Sequence, residues 1–491
     1  MRTLLAVLSI FVTCNCLVAQ VLPDTLSGVV RGTTHANRTY FVRDSLIVNA
    51  GDTLTISSGD TLIMLSPTGW IHVFGSFFCE GTAGHENVIT VTPARRTTPG
   101  QWGGIVGDSC TICDIRYTWL LWAGGNNTAG HAYRTVDVYS DYQNHTQTIF
   151  TDNHIIGTVD DAIGIHGGSA SILRNTIKWC GAPDGDNINI KAGAIGEIAY
   201  NTIWSSGGNG IKLNADITLS RLTNMCVHNN TIVAGGWRRV GELGYAILVD
   251  ASARAQIYNN VMGDMYSELE ITIAADTARV VYDNNLFFGS ADSLRLPWRY
   301  YPADGVGAPR PHDITVDDPS TLFVSYEPYF NNDWFGLDGE NDYHLLPGSP
   351  ATGHGMVPPA AWYNPYFGLG VQLPGDPNIG SKSVSSVAAV KADRRTGIPK
   401  VFALSNSYPN PFNPSTRFQV DVPRETFLSI AIYNMLGQKV ATIYEGPQTP
   451  GVRTFEWNGR NSSSGDVPSG IYFIRMSAPG FEAVRKVMLI K

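Results

Sequence analysis

Large apolar residues recur along the middle of the chain at fixed offsets from a series of asparagines. Asn153, Asn175, Asn201, Asn230, Asn260 and Asn285 stand 22, 26, 29, 30 and 25 residues apart. Three positions before each comes Phe150, Ile172, Ile198, Val227, Ile257 or Tyr282, and two positions after comes Ile155, Ile177, Ile203, Ile232, Met262 or Phe287. A loose period with two invariant apolar columns is what stacked coils demand, because each coil buries the same positions against the last. A further series follows each asparagine by about ten residues: "DAIGI", "DNINI", "NGIKL", "YAILV" and "LEITI". These alternate as strands do, and no comparable helical period competes. The expected structure is all-β, a parallel solenoid with the asparagines at one corner, where they tolerate left-handed backbone and bond the next coil.

Composition narrows the partners. The 491 residues suffice for two or three domains, only 15% are charged, and the net charge is −8. That balance disfavours nucleic acid and favours neutral, cationic or metal-bridged partners. Residues 1–20 have the charged start, the apolar run "LLAVLSIFV" and the "VAQ" ending of a secretory signal peptide. No later stretch is long and apolar enough for a transmembrane segment. The mature chain keeps five cysteines, too few and too scattered to staple a chain of this length, so buried thiols are expected.

The segments "YFVRDSLIVNAGDTLTISSGDTLIM", "GWIHVFGSFFCEGT" and "GQWGGIVG" resemble the opening coils of secreted right-handed parallel β-helix, pectate-lyase-like proteins, and "YEPYFNNDWFGLDGENDYHLLPGSPATGHG" with "DPNIGS" resembles their closing segment. The resemblance implies a right-handed parallel β-helix over 21–381. It is loose for function, because the scaffold hosts many activities. After a Ser- and Ala-rich linker, 382–401, short alternating strands between Gly, Pro and Asn turns predict a small immunoglobulin-like β-sandwich over 402–491. Its motifs, Tyr408-Pro409-Asn410-Pro411-Phe412-Asn413-Pro414, Gly437, Trp457-Asn458-Gly459 and Gly470-Ile471-Tyr472, resemble the type A C-terminal sorting domain of the type IX secretion system. That resemblance implies the type IX machinery as a partner and release to, or attachment at, the outer surface of a Gram-negative bacterium.

Candidate chemistry centres on "VDDAIGIHGG" (159–168). If Ile163 and Ile165 point inward, alternation sends Ala162, Gly164 and His166 outward, then Asn187, Asn189 and Lys191, then Gly210, Lys212 and Asn214, with Asp250 beyond. Asp160, Asp161, Asp184 and Asp186 adjoin this stripe. Asp-Asp ahead of a histidine faintly resembles polygalacturonase-type hydrolases, whose paired carboxylates supply acid and activate water. In a lyase reading, Asp161, Asp184 and Asp186 hold Ca²⁺ against a uronate while Lys191 or Lys212 removes a proton. His166 is the remaining catalytic candidate, and Asn189, Asn214 and Asp250 the substrate-binding ones. Trp119, Trp122, Trp237 and Tyr245 are aromatic candidates for sugar stacking. The competing expectations are non-catalytic polysaccharide or surface binding, and an adhesin or stalk whose polar residues are simply solvated.

Overall fold

The computed structural model describes residues 22–96, 98–125, 133–140, 146–181, 185–215, 222–233, 244–265, 267–272, 274–288, 310–316, 319–326, 341–356, 378–382, 402–405, 407, 412, 415–435, 437–462, 465–479 and 481–489. The chain forms two compact units, Met1–Ser385 and Ser386–Lys491.

The first unit is a right-handed parallel β-helix whose coils stack along three faces. We call these faces front, back and flank. The front includes Ile71–Val73, Ile105–Asp108, Val136–Tyr139, Ile163–His166, Ile188–Lys191, Ile211–Leu213, Tyr245–Val249 and Ser267–Ile271. The back includes Ser76–Glu80, Ile112–Arg116, Gln147–Thr151, Ser169–Leu173, Ile195–Ala199, Asn224–His228, Arg254–Tyr258 and Val280–Asp283. The flank includes Asn87–Val91, Thr118–Leu121, His154–Thr158, Thr176–Cys180, Thr202–Ser206, Thr231–Val233, Val261–Gly263 and Leu286–Phe288. Both apolar columns of the sequence lie in true register. Phe150, Ile172, Ile198, Val227, Ile257 and Tyr282 pair along the back, and Ile155, Ile177, Ile203, Ile232, Met262 and Phe287 along the flank. Each such side chain removed from water contributes about 1.5–3 kcal/mol.

The asparagines line the corner between back and flank as a buried ladder. The Asn201 side chain accepts from Asn175 N and Nδ2 at 2.9 Å and donates to Ile172 O and Asn230 Oδ1 at 2.9 Å. The same pattern repeats down to Asn285, whose N–H donates to Asp313 Oδ1 at 2.8 Å. An aspartate suits this rung, the last among the described residues, since it only has to accept the Asn285 N–H. Upstream, Thr118 takes a rung, its N–H donating to Asn153 Oδ1, and the buried Cys79 thiol lies 3.3 Å from both Thr118 Oγ1 and Asn87 Nδ2.

The left-handed residue of this corner is not the ladder asparagine but the one before it: Asp152, Arg174, Tyr200, Asn229, Asn259 and Asn284 have φ between 50° and 59°. The ladder residue must keep its backbone N–H aimed along the stack, so the turn is made one position earlier. In the last three coils this residue is itself asparagine and clamps the closing segment. Asn229 Nδ2 donates to Asn378 O, Asn259 Nδ2 to Met356 O and Asn284 Nδ2 to His354 O, at 2.9–3.1 Å. Beneath the clamp the outer face of the flank is apolar. Trp204, Val233, Val261 and Phe288 pack there against Leu322, Phe323, Leu345 and Ile379.

All five described cysteines are free, four of them buried. Burial pushes the Cys79 thiol up to about 11 and Cys110 up to about 12, so they pack as apolar groups.

The second unit is an immunoglobulin-like sandwich. Ala403–Leu404, Thr416–Val422 and Gly451–Trp457 form one antiparallel sheet; Lys439–Gln448, Thr426–Asn434, Gly470–Ala478 and Phe481–Leu489 form the other. Their inner faces meet in a core that includes Phe412, Phe418, Ile430, Trp457, Tyr472 and Ile474.

Candidate functional site

The polar stripe forms where the front face meets its corner with the flank. His166 and Lys191 are direct register partners, as are Gly164 and Asn189, and Asn189 and Lys212. Leu213 pairs with Ile190 and Val249, so Asn214 follows Lys191 and precedes Asp250 in one outward row. Asp250 Oδ1 accepts from Thr272 Oγ1 at 2.5 Å. Asp184 lies outside the described residues.

The alternation breaks at the corner. Ala162 belongs to the hydrophobic core, and a side chain on Gly210 would run into Ile232 Cγ2, so this row points inward. Asn187 occupies the same row and is fully buried, with neither Oδ1 nor Nδ2 hydrogen-bonded. The turn into the strand, not strand alternation, sets its direction. Orphaned buried amides are costly, and Ala already fills the register-equivalent positions 162 and 246. Asn187→Ala is therefore expected to raise stability by about 1 kcal/mol, read as a higher denaturant midpoint; a lower midpoint would show that the amide is satisfied in solution.

Asp161 and Asp186 are rungs of a second ladder. Asp186 N donates to Asp161 Oδ1 at 2.9 Å, and Asn209 N and Nδ2 donate to Asp186 Oδ1 at 2.9 and 2.7 Å. Tyr245 N then donates to Asn209 Oδ1 at 2.9 Å. Asp161 Oδ2 also accepts from Asn189 Nδ2 at 2.9 Å and lies 3.0 Å from Arg134 Nε. These oxygens face N–H donors and a guanidinium, which fits a protein ladder better than a calcium shell. Among the described residues no group of three His, Cys, Asp or Glu side chains is arranged to hold a metal.

Arg134 organises the rest. Its Nη1 donates to Asp137 Oδ1 and Oδ2 at 2.9 and 3.1 Å and approaches His166 Nε2 at 3.0 Å; its Nε lies 3.8 Å from Asp160 Oδ2. His166 Nε2 also lies 3.1 Å from Asp137 Oδ1, so this nitrogen faces both a guanidinium that donates and a carboxylate that accepts. Burial lowers the His166 pKa despite Asp137. The His166 ring stacks on Tyr139 with centroids 3.9 Å apart. Gly164 makes room for this network, since a Cβ there would come within 2.5 Å of Asp137 Oδ1 and 3.2 Å of Arg134 Cδ.

Around that pin the protonation states spread apart. Burial, then the charge of Asp161, raises Asp160 to about 7 and Asp186 to about 6. Burial, then Arg134, lowers Lys191, for which the structure records no ion pair among the described residues. The site thus combines a depressed ammonium, a neutral imidazole and a carboxyl that titrates near neutrality. Asp160 holds its proton more tightly folded than unfolded, where its value is 3.8. Its stabilising contribution is complete below about pH 4 and vanishes as pH climbs to about 7. In Asp160→Asn, the fall in melting temperature between about pH 5 and pH 8 is expected to flatten; parallel profiles for variant and parent would remove Asp160 as its source.

Arg134, Asp137 and Tyr139 were missed because the asparagine register begins only at Asn153. "VDVY" aligned one coil above "IGIH" would have placed Asp137 over Gly164 and Tyr139 over His166. Of the aromatic candidates, Trp119 stacks on His154 at 3.9 Å and Trp122 packs partly buried against the core, while Trp237 lies outside the described residues. Tyr245 extends the second ladder through its backbone N–H.

In the sandwich, Pro409, Asn410, Pro411, Asn413 and Pro414 also lie outside the described residues. Phe412 is buried 5.2 Å from Trp457, and its N–H donates to Met488 O at 2.9 Å. Gly437 has φ 75° in the turn after Asn434, and Trp457 Nε1 donates to Arg460 O. Gly470 opens a strand, and the Tyr472 hydroxyl donates to Pro468 O at 2.8 Å.

Comparison with known families agrees with both folds. Residues 108–287 match the family described as right handed beta helix region, and residues 408–480 match the FlgD Ig-like domain. No curated protein matches the chain. The molecule is a β-helix repeat protein with a C-terminal Ig-like domain, and among its described residues no helix is long and apolar enough to cross a membrane.

Proposed function

We propose that this protein is an exported, surface-displayed or secreted binder of polysaccharide, delivered by the type IX secretion system through its C-terminal sandwich. The observation that carries the binding role is the Arg134-pinned cluster on the front face, above all Lys191, a half-buried ammonium with no ion pair recorded among the described residues. An anionic or hydroxylated sugar supplies the acceptors that Lys191 lacks. The rigid ladders hold these groups without rearrangement. Retention of the full chain in gels containing acidic polysaccharide, lost in Lys191→Ala, tests the reading; unretarded migration in every polysaccharide would overturn it.

Delivery rests on the sorting-domain motifs and the signal-peptide pattern. Removing residues 402–491 is expected to strand the protein in the periplasm, and export of the truncated chain would refute the sorting role.

The depressed Lys191 also supports a second reading, a polysaccharide lyase. Lys191 would take the proton beside a uronate carboxylate, the bond to the departing glycosidic oxygen would break with that oxygen gaining a proton, and a carbon–carbon double bond would remain. Ultraviolet-absorbing unsaturated products decide for it; new reducing ends without that absorbance point to hydrolysis.

A further inference from the structure

We propose that the upstream half of the front face is a separate subsite for a protonated amine carried on a sugar ring, built from His72, Phe74, Asp108 and Tyr139. The proposal deepens the polysaccharide-binding reading and rests on it.

Phe74 follows Val73, which pairs with Gly107, so Phe74 stands over Asp108 in the outward row, and Asp108 pairs directly with Tyr139. Phe74 and Tyr139 therefore flank Asp108 two coil steps apart, about 10 Å at the usual spacing of neighbouring strands. That gap takes one pyranose ring in van der Waals contact on both sides.

The downstream face of Tyr139 is covered by His166. On the other side of Asp108, Phe74 is held by a row of rings on its own coil. Trp70 stacks on His72 at 4.1 Å, and His72 meets Phe74 at 3.9 Å. Phe74 is 36% exposed and Asp108 41% exposed by side chain, while Trp70 is buried, so among the described residues these two side chains present accessible surface above a buried ring. Asp108 Oδ2 lies 3.8 Å from His72 Nε2, its one recorded ion-pair contact among the described residues.

Aromatic rings on both sides with a carboxylate at the base favour a cation, by ring quadrupole and by charge, and accept the apolar face of a sugar. The surrounding charge agrees. Residues 21–381 carry 19 Lys and Arg against 35 Asp and Glu, whereas residues 382–491 carry 14 against 7. The whole β-helix thus attracts cations. Three coil steps further on, Lys191 has the opposite preference, so this face suits a glycan bearing amines and acidic groups in alternation.

The test titrates the full-length protein by calorimetry with two hexasaccharides of one backbone, β-1,4-linked N-acetylglucosamine and its deacetylated form. The amine form is expected to bind at least tenfold more tightly. Asp108→Asn should remove that preference while keeping the weaker binding of the acetylated form, and Phe74→Ala should weaken both. The preference should also shrink with added salt, since Asp108 is exposed to solvent. Equal affinities for the two forms, or a preference that survives Asp108→Asn, would overturn the subsite while leaving the polysaccharide reading intact. Binding of neither form, with acidic polysaccharide still bound, would likewise overturn the subsite alone; loss of all glycan binding would remove both.

Discussion

Asn201→Leu is expected to destabilise the β-helix by about 4 kcal/mol, seen as a lower denaturant midpoint of the full-length protein. Leucine matches asparagine roughly in size, so the loss comes from polar partners. Asn175 N–H, the Asn175 amide, Ile172 C=O and Asn230 Oδ1 each lose a bond inside a buried corner. A net hydrogen bond contributes only about 1 kcal/mol, but a buried group left unpaired costs about 1–3 kcal/mol. Coils stack only on their neighbours, so the damage should be read on both sides of residue 201, as faster amide exchange at Asn175 and Asn230. A midpoint within about 0.5 kcal/mol of the parent would mean that the ladder follows the fold and does not hold it.

Arg134→Ala carries the second large effect, expected at about 3–5 kcal/mol. Asp137 is 1% exposed and Asp161 2% exposed, and both face this guanidinium. Removing it leaves two buried charges without their cation, which costs more than the pair contributed. The Arg134→Ala/Asp137→Ala double variant should recover a large part of the loss, because the orphaned charge goes with its partner. Losses that simply add would show that the two side chains act independently. Polysaccharide retention should fall in Arg134→Ala even below its melting temperature, since His166 loses the donor that fixes its ring.

The coils were legible from residue 150 onward because one physical requirement, an acceptor for the neighbouring N–H and a donor in one short side chain, keeps the six rungs from Asn153 to Asn285 asparagine. Once Asn153 to Asn285 are aligned, both apolar columns follow. Upstream the ladder changes chemistry at Thr118, so the alignment stops one coil short of Arg134 and Asp137. The doublets Asn229-Asn230, Asn259-Asn260 and Asn284-Asn285 held more than was read from them. The second residue of each is a ladder rung, while the first makes the left-handed turn and clamps the closing segment. Single asparagines after Asp152, Arg174 and Tyr200 mark coils whose left-handed residue carries no side-chain amide. The second ladder was obscured because it mixes Asp161, Asp186 and Asn209, so neither residue type repeats alone. Its two aspartates look like catalytic or metal-binding carboxylates in a sequence. Their hydrogen bonds to the neighbouring coil, not their chemistry toward a ligand, account for their position.

The proposed division of labour gives Lys191 to the ligand, while Asp186 holds the corner. Isothermal titration of an acidic oligosaccharide into full-length Lys191→Ala and Asp186→Asn measures it directly. Affinity at least tenfold weaker in Lys191→Ala at an unchanged melting temperature, with affinity kept in Asp186→Asn, is the predicted result. Full affinity in Lys191→Ala together with its loss in a folded Asp186→Asn would contradict it.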